Sequence, residues 1–83
     1  MRRTKLEDIV MTQISEVSGN ALTDINHGSL LEDDLGMDSL DAVELTMNLE
    51  KELGISIDDE DIQQMKSWRV GTLIDYLYKF VKD

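Results

Sequence analysis

Ser39 is the residue of this chain best placed to take part in chemistry. It stands in Asp33-Asp34-Leu35-Gly36-Met37-Asp38-Ser39-Leu40-Asp41-Ala42-Val43-Glu44-Leu45, where a glycine-containing turn runs into the start of an amphipathic helix. Asp38 is a favoured N-cap type and Asp41 lies three residues on. Asp38 can therefore accept from the free amides of the first turn, while Asp41 favours the helix dipole. Ser39 is then the first helical residue, with its hydroxyl pointing away from the packed face. A phosphoryl group attached to it would sit at the positive end of the helix.

Other chemistries fit these residues less well. A serine nucleophile needs an adjacent base, yet the only histidine is His27, in the preceding loop, and the Gly-x-Ser-x-Gly elbow is absent. A lone loop histidine reads as a surface residue, and a helical chain this short offers little room to enclose a substrate with a complete catalytic constellation. No catalytic residue is assigned, and Ser39 reads as the substrate of another enzyme. A calcium loop from Asp33 to Glu44 would place Leu35 and Met37 where oxygen ligands belong and Asp38 where glycine is needed. Zinc would have no cysteine and one histidine, so no metal site is assigned.

The positioning elements follow from apolar periodicity. Thr4 and Glu7 suggest a capping box, and Leu6, Ile9, Val10, Ile14 and Val17 recur at helical spacing, which predicts a first helix from about Lys5 to Val17. Gly19-Asn20 stops it. A long connection from Asn20 to Met37 carries Ile25, Leu30, Leu31 and Leu35 as apolar anchors and has room for one short helical turn. The second helix is predicted over Ser39 to Leu53, with Gly54 as its stop. Ala42, Leu45, Leu49 and Leu53 form a core stripe on it, while Leu40, Val43 and Met47 form an offset stripe flanked by Asp41, Glu44 and Glu50. Ile55-Ser56-Ile57 reads as extended chain. Asp58 caps a short third helix to about Met65, with Ile57 set to staple against Ile62. Ser67 is the expected cap of a last helix faced by Val70, Leu73, Ile74, Leu77 and Val81. The expectation is an all-α, small four-helix bundle: three main helices, a short third one, and a long loop between helices one and two.

Charge narrows the partners. Acidic residues number 18 against 8 basic, and 12 of the 18 fall between 32 and 61, where Lys51 is the only basic residue. Repulsion makes nucleic acid an unsuitable partner, whereas basic patches on proteins suit this surface. The 83 residues read as a single domain, 1–83, burying roughly 60% of the surface its unfolded form exposes. Without cysteine there is no disulfide, and no apolar run approaches the roughly 20 residues that span a bilayer. The simplest location is the cytoplasm, and a monomer is expected.

The extended pattern Asp34-Leu35-Gly36-x-Asp38-Ser39-Leu40-x-x-Val43-Glu44-Leu45 closely resembles the acyl carrier proteins, over nearly the whole chain. That resemblance implies a 4′-phosphopantetheine arm on Ser39, supported by Asp38 and placed there from coenzyme A by a phosphopantetheinyl transferase. Acyl groups would ride on its thiol as thioesters between ketosynthases, acyltransferases and other acyl-processing enzymes of fatty-acid or related polyketide-like or specialised lipid biosynthesis. Leu40, Asp41, Val43, Glu44, Met47 and Glu50 would face those enzymes' basic docking patches.

Some positions depart from the common fatty-acid-synthesis pattern. Lys51 interrupts an acidic run, Thr46 and Asn48 replace aliphatic or small residues, and Lys66-Ser67-Trp68-Arg69-Val70-Gly71 carries about two extra residues, among them Trp68. Trp68 would either cover the end of the bundle or remodel the mouth of an acyl cleft. The D-alanyl carriers share the serine and bundle but match Asp-Ser-Leu-Asp and Val-Glu-Leu less well. An unmodified acidic adaptor of the same fold is the alternative from another class, and it would keep its function in Ser39→Ala.

Overall fold

The computed structural model describes residues 1–82, and its helices form where the apolar stripes run. They are α1 (Arg3–Ser18), α2 (Ser39–Leu53), α3 (Asp59–Met65) and α4 (Val70–Val81), with a single 3-10 turn at Leu22–Asp24 in the long connection. α1 packs against both α2 and α4, and α3 packs against α2. No strand forms among the described residues; the one β-type pairing is an isolated antiparallel bridge between Leu30 and Arg69.

The core takes Leu6, Val10 and Ile14 from α1, Ala42, Leu45 and Leu49 from α2, and Val70, Leu73, Ile74 and Leu77 from α4. Leu53, Ile9 and Val17 are half-buried at its margin. The long connection contributes more than α3 does. Ile25, Leu31, Leu35 and Met37 are buried, against Met65 alone from α3. At about 1.5–3 kcal/mol per buried large apolar side chain, this loop is a structural member of the bundle.

Three local expectations are corrected by longer-range contacts. α1 begins at Arg3 rather than Lys5, and its N-cap Arg2 makes no side-chain bond. Thr4 therefore lies inside the first turn and forms no box with Glu7. Contacts to α4 support the two added residues: Arg3 pairs with Asp75 and its guanidinium lies 5.5 Å from the Tyr78 ring centre. Glu7 instead pairs with His27.

Ser67 does not cap α4; its Oγ donates to the Gln64 carbonyl at 2.7 Å and closes α3. The first amides of α4 are capped by loop carbonyls, Val70 N–H on Ser29 O at 2.9 Å and Gly71 N–H on His27 O at 2.8 Å. A Cβ at Gly71 would lie 3.2 Å from that His27 oxygen, so a residue without one suits this close approach. Asp58 does stand at the N-cap of α3 but makes no side-chain bond there. The Asp61 carboxylate, in the first turn of that helix, accepts from Tyr76 Oη at 2.6 Å. That bond ties α4 to α3.

Candidate functional site

The turn before α2 sets where Ser39 can be. Asp34 Oδ2 accepts from Leu30 N–H at 2.7 Å, the amides of Asp34 and Leu35 both donate to Leu30 O, and Gly36 N–H donates to Glu32 O. Gly36 sits at φ +70°, a left-handed conformation that a β-carbon disfavours. It reverses the chain between two core plugs, Leu35 and Met37, and Asn20 Nδ2 secures the Leu35 carbonyl at 2.9 Å. With both neighbours buried, the next residues are driven to the surface.

Asp38 then caps α2. Its Oδ1 accepts from Asp41 N–H at 2.9 Å, and Asp41 Oδ2 accepts from Asp38 N–H at 3.2 Å, so the expected reciprocal box is complete. Ser39 is the first residue of the helix and is exposed. Its Oγ accepts a hydrogen bond from Lys66 Nζ at 3.3 Å, and the same ammonium lies 3.5 Å from Glu32 Oε2. Such an ammonium is a donor and not a proton acceptor. His27, the other candidate base, is held by Glu7. The arrangement presents a hydroxyl without activating it.

Beside Ser39 a groove of about 270 Å³ opens between α2 and α3, lined by Ser39, Ala42, Val43, Ile62, Gln63 and Lys66. Trp68 is not among its walls. The indole packs on Tyr76 with ring centres 5.1 Å apart, and Tyr76 in turn meets Phe80 at 5.3 Å, so Trp68 covers the flank of α4. Burial, followed by the hydrogen bond to the Asp61 carboxylate, pushes the Tyr76 phenol well above its ordinary pKa and keeps it protonated.

Along α2 the two stripes separate cleanly. Leu40, Val43 and Met47 are 79%, 45% and 63% exposed, beside an exposed Glu44, while Ala42, Leu45 and Leu49 are buried. Asp41 is half-buried in its box. Glu50 is set apart from the others because its Oε2 accepts from Ile57 N–H at 2.8 Å and fastens the segment between α2 and α3. Thr46 does face the interior; its Oγ1 donates to Ala42 O at 2.8 Å and lies 3.4 Å from Met65 Sδ. That bond to its own helix satisfies the hydroxyl, and Thr46 does not line the groove.

Lys66 is the residue that sequence patterning does not bring to Ser39. The two are 27 positions apart and meet because the connection between α3 and α4 is fastened to the loop. Leu31 N–H bonds Trp68 O and Glu32 N–H bonds Lys66 O, each at 3.0 Å. No local pattern in the sequence marks this contact. Among the described residues, no three His, Cys, Asp or Glu side chains gather to hold a metal ion.

Residues 8–77 match the family model described as a phosphopantetheine attachment site. The chain is 38% identical over 78 residues to an acyl carrier protein of Porphyromonas gingivalis, covering 94% of this chain and 92% of that one. It is 36% identical over 77 residues to an acyl carrier protein of Thermotoga maritima, with 93% of each covered. With an acyl carrier protein of Rickettsia bellii it shares 33% identity over 72 residues, covering 87% of this chain and 81% of that one.

Proposed function

The chain belongs to the phosphopantetheine-binding acyl carrier proteins and carries acyl groups on a covalent 4′-phosphopantetheine; on that footing we propose that Ser39 Oγ is the point of attachment. The observation that carries this assignment is an exposed hydroxyl at the first position of α2, oriented by the Asp38–Asp41 box and lacking a partner base. The residues around it suit the group. The helix N-terminus and the Lys66 ammonium favour a phosphate, and the groove beside Ser39 gives an acyl chain an apolar shelter. When bound, the arm supplies the thiol on which acyl groups are carried as thioesters.

The chain's own residues present the arm and dock its users. Leu40, Val43 and Met47 offer an apolar strip beside Ser39, and Glu44 with the surrounding acids attracts basic patches on a phosphopantetheinyl transferase, ketosynthases and acyltransferases. Exposed charge pairs steer association and release readily, as a carrier serving several enzymes requires. Asp38 acts by holding the helix start, and Glu50 by holding the α2–α3 connection. The route served is fatty-acid synthesis or a related lipid or polyketide-like pathway.

Intact-mass measurement after incubation with coenzyme A, magnesium and a broad-specificity phosphopantetheinyl transferase tests the assignment. The expected result is a gain of one phosphopantetheine on the parent protein and none on Ser39→Ala. An equal gain on Ser39→Ala overturns it.

A further inference from the structure

We propose that Lys66 is the cation that binds the phosphodiester on Ser39, leaving Glu32 to do so and directing the first atoms of the arm to the mouth of the α2–α3 groove. This rests on the assignment of the attachment to Ser39. Lys66 Nζ already lies 3.3 Å from Ser39 Oγ, which becomes an ester oxygen of the phosphodiester. The unesterified phosphate oxygens are two bonds from that atom, within the sweep of a four-carbon side chain whose backbone is held by the Glu32 N–H to Lys66 O bond.

No other cation is as well placed among the described residues. Lys51 stands twelve residues along the same helix, about 18 Å away by helical rise. Arg69 Nη1 is bonded to Gly28 O at 2.6 Å. The acids nearest Ser39 in sequence, Asp38 and Asp41, bond each other's amides and leave the ammonium to Glu32 or to a phosphate.

Between those two the phosphate wins on physical grounds. Glu32 and Lys66 form an exposed pair at 3.5 Å, with side chains 48% and 37% accessible, and such pairs hold weakly because two long side chains must be ordered. A phosphodiester on Ser39 is tethered by the short serine side chain to a capped helix turn, with fewer torsions to order than a glutamate and a lysine bring to their pair, and its oxygens form strong charge-assisted bonds. Lys66 also lines the groove, so a phosphate drawn to it leans towards α3 and away from the exposed Leu40, which is not among the groove's walls.

Trace acetylation followed by peptide mass mapping reads the contact in the parent protein. Loading with phosphopantetheine, verified by intact mass, is expected to lower acetylation of Lys66 about three- to fivefold below the unloaded protein, where the weaker Glu32 pair shields it only in part, and to leave Lys51 unchanged. The phosphorus-31 resonance of loaded protein is expected to move in Lys66→Gln, return in Lys66→Arg and stay in place in Lys51→Gln. Equal acetylation of Lys66 before and after loading, or one phosphorus-31 shift for the parent and Lys66→Gln, overturns the inference while Ser39 stands. A mass gain that survives in Ser39→Ala overturns the attachment assignment, and Lys66 with it.

Discussion

Replacing Asp38 with alanine removes both bonds of the box that starts α2, the 2.9 Å bond to Asp41 N–H directly and the 3.2 Å return bond by freeing the local backbone. N-cap loss costs about 0.5–2 kcal/mol, and for a cap exposed to water the middle of that range, about 1 kcal/mol, applies. The unfolding entropy of 83 residues near 60 °C is about 170 cal/mol/K, which converts 1 kcal/mol into a fall of about 6 °C in midpoint. Asp38→Asn keeps an acceptor of equal capping strength and is expected within about 2 °C of the parent. Asp41→Ala loses only the longer bond and a favourable helix-end charge, about 0.5 kcal/mol. Because either change breaks the same box, the double variant should lose less than the sum of the two. Thermal unfolding by circular dichroism measures the four variants beside the parent, and loading rate with coenzyme A and transferase reports whether a frayed helix start slows modification of Ser39. An Asp38→Ala midpoint within 1 °C of the parent, or an Asp38→Asn midpoint as low as that of alanine, refutes the capping argument.

Other perturbations separate docking from folding. Glu44→Lys, on the exposed face of α2, should leave the midpoint within about 2 °C yet cut kcat/KM for acyl transfer roughly tenfold and flatten its salt dependence; unchanged turnover with every cognate enzyme removes the docking face from the account. Thr46→Val leaves the Ala42 carbonyl its helical partner and should shift urea stability by less than about 0.5 kcal/mol, whereas Thr46→Ser deletes a buried methyl and costs about 1 kcal/mol. Trp68→Ala should destabilise by about 1–3 kcal/mol through lost packing on Tyr76 without altering acyl-chain preference, since the indole lies off the groove. The Tyr76 phenol is raised in the folded chain, so above about pH 10 the unfolded state ionises first and stability falls as pH rises. Tyr76→Phe should flatten that alkaline fall, and identical slopes for the two proteins in urea titrations at pH 9–11.5 refute the assignment of the shift.

What was legible in the chain follows the range of the interactions. The Asp38–Asp41 box joins residues three apart, so spacing alone reveals it, and the apolar stripes of α2 and α4 show which faces must be buried. The offset stripe of Leu40, Val43 and Met47 was readable as a stripe; its exposure depends on where α3 packs. Thr4 and Ser67 carry equally good local signals and lose to tertiary contacts, Arg3 with Asp75 at one helix start and the carbonyls of His27 and Ser29 at the other. No local pattern shows that a loop backbone will cap α4. For the same reason the sequence does not show Lys66 beside Ser39 or the bond that Glu50 makes to the segment after α2. Backbone pairing of residues 31 and 32 with 68 and 66 brings the lysine to Ser39, and Ile57 N–H takes the glutamate.

Whether Ser39 bears the arm in the working protein is decided on material from the cell. Peptide mapping of the chain purified from its own host, with fragmentation that ejects phosphopantetheine, tests it most directly. The ejected arm is expected from the peptide containing Asp38-Ser39-Leu40, with any acyl group still attached to it. A functional protein whose Ser39 is unmodified, or whose arm maps to another residue, overturns the assignment of Ser39.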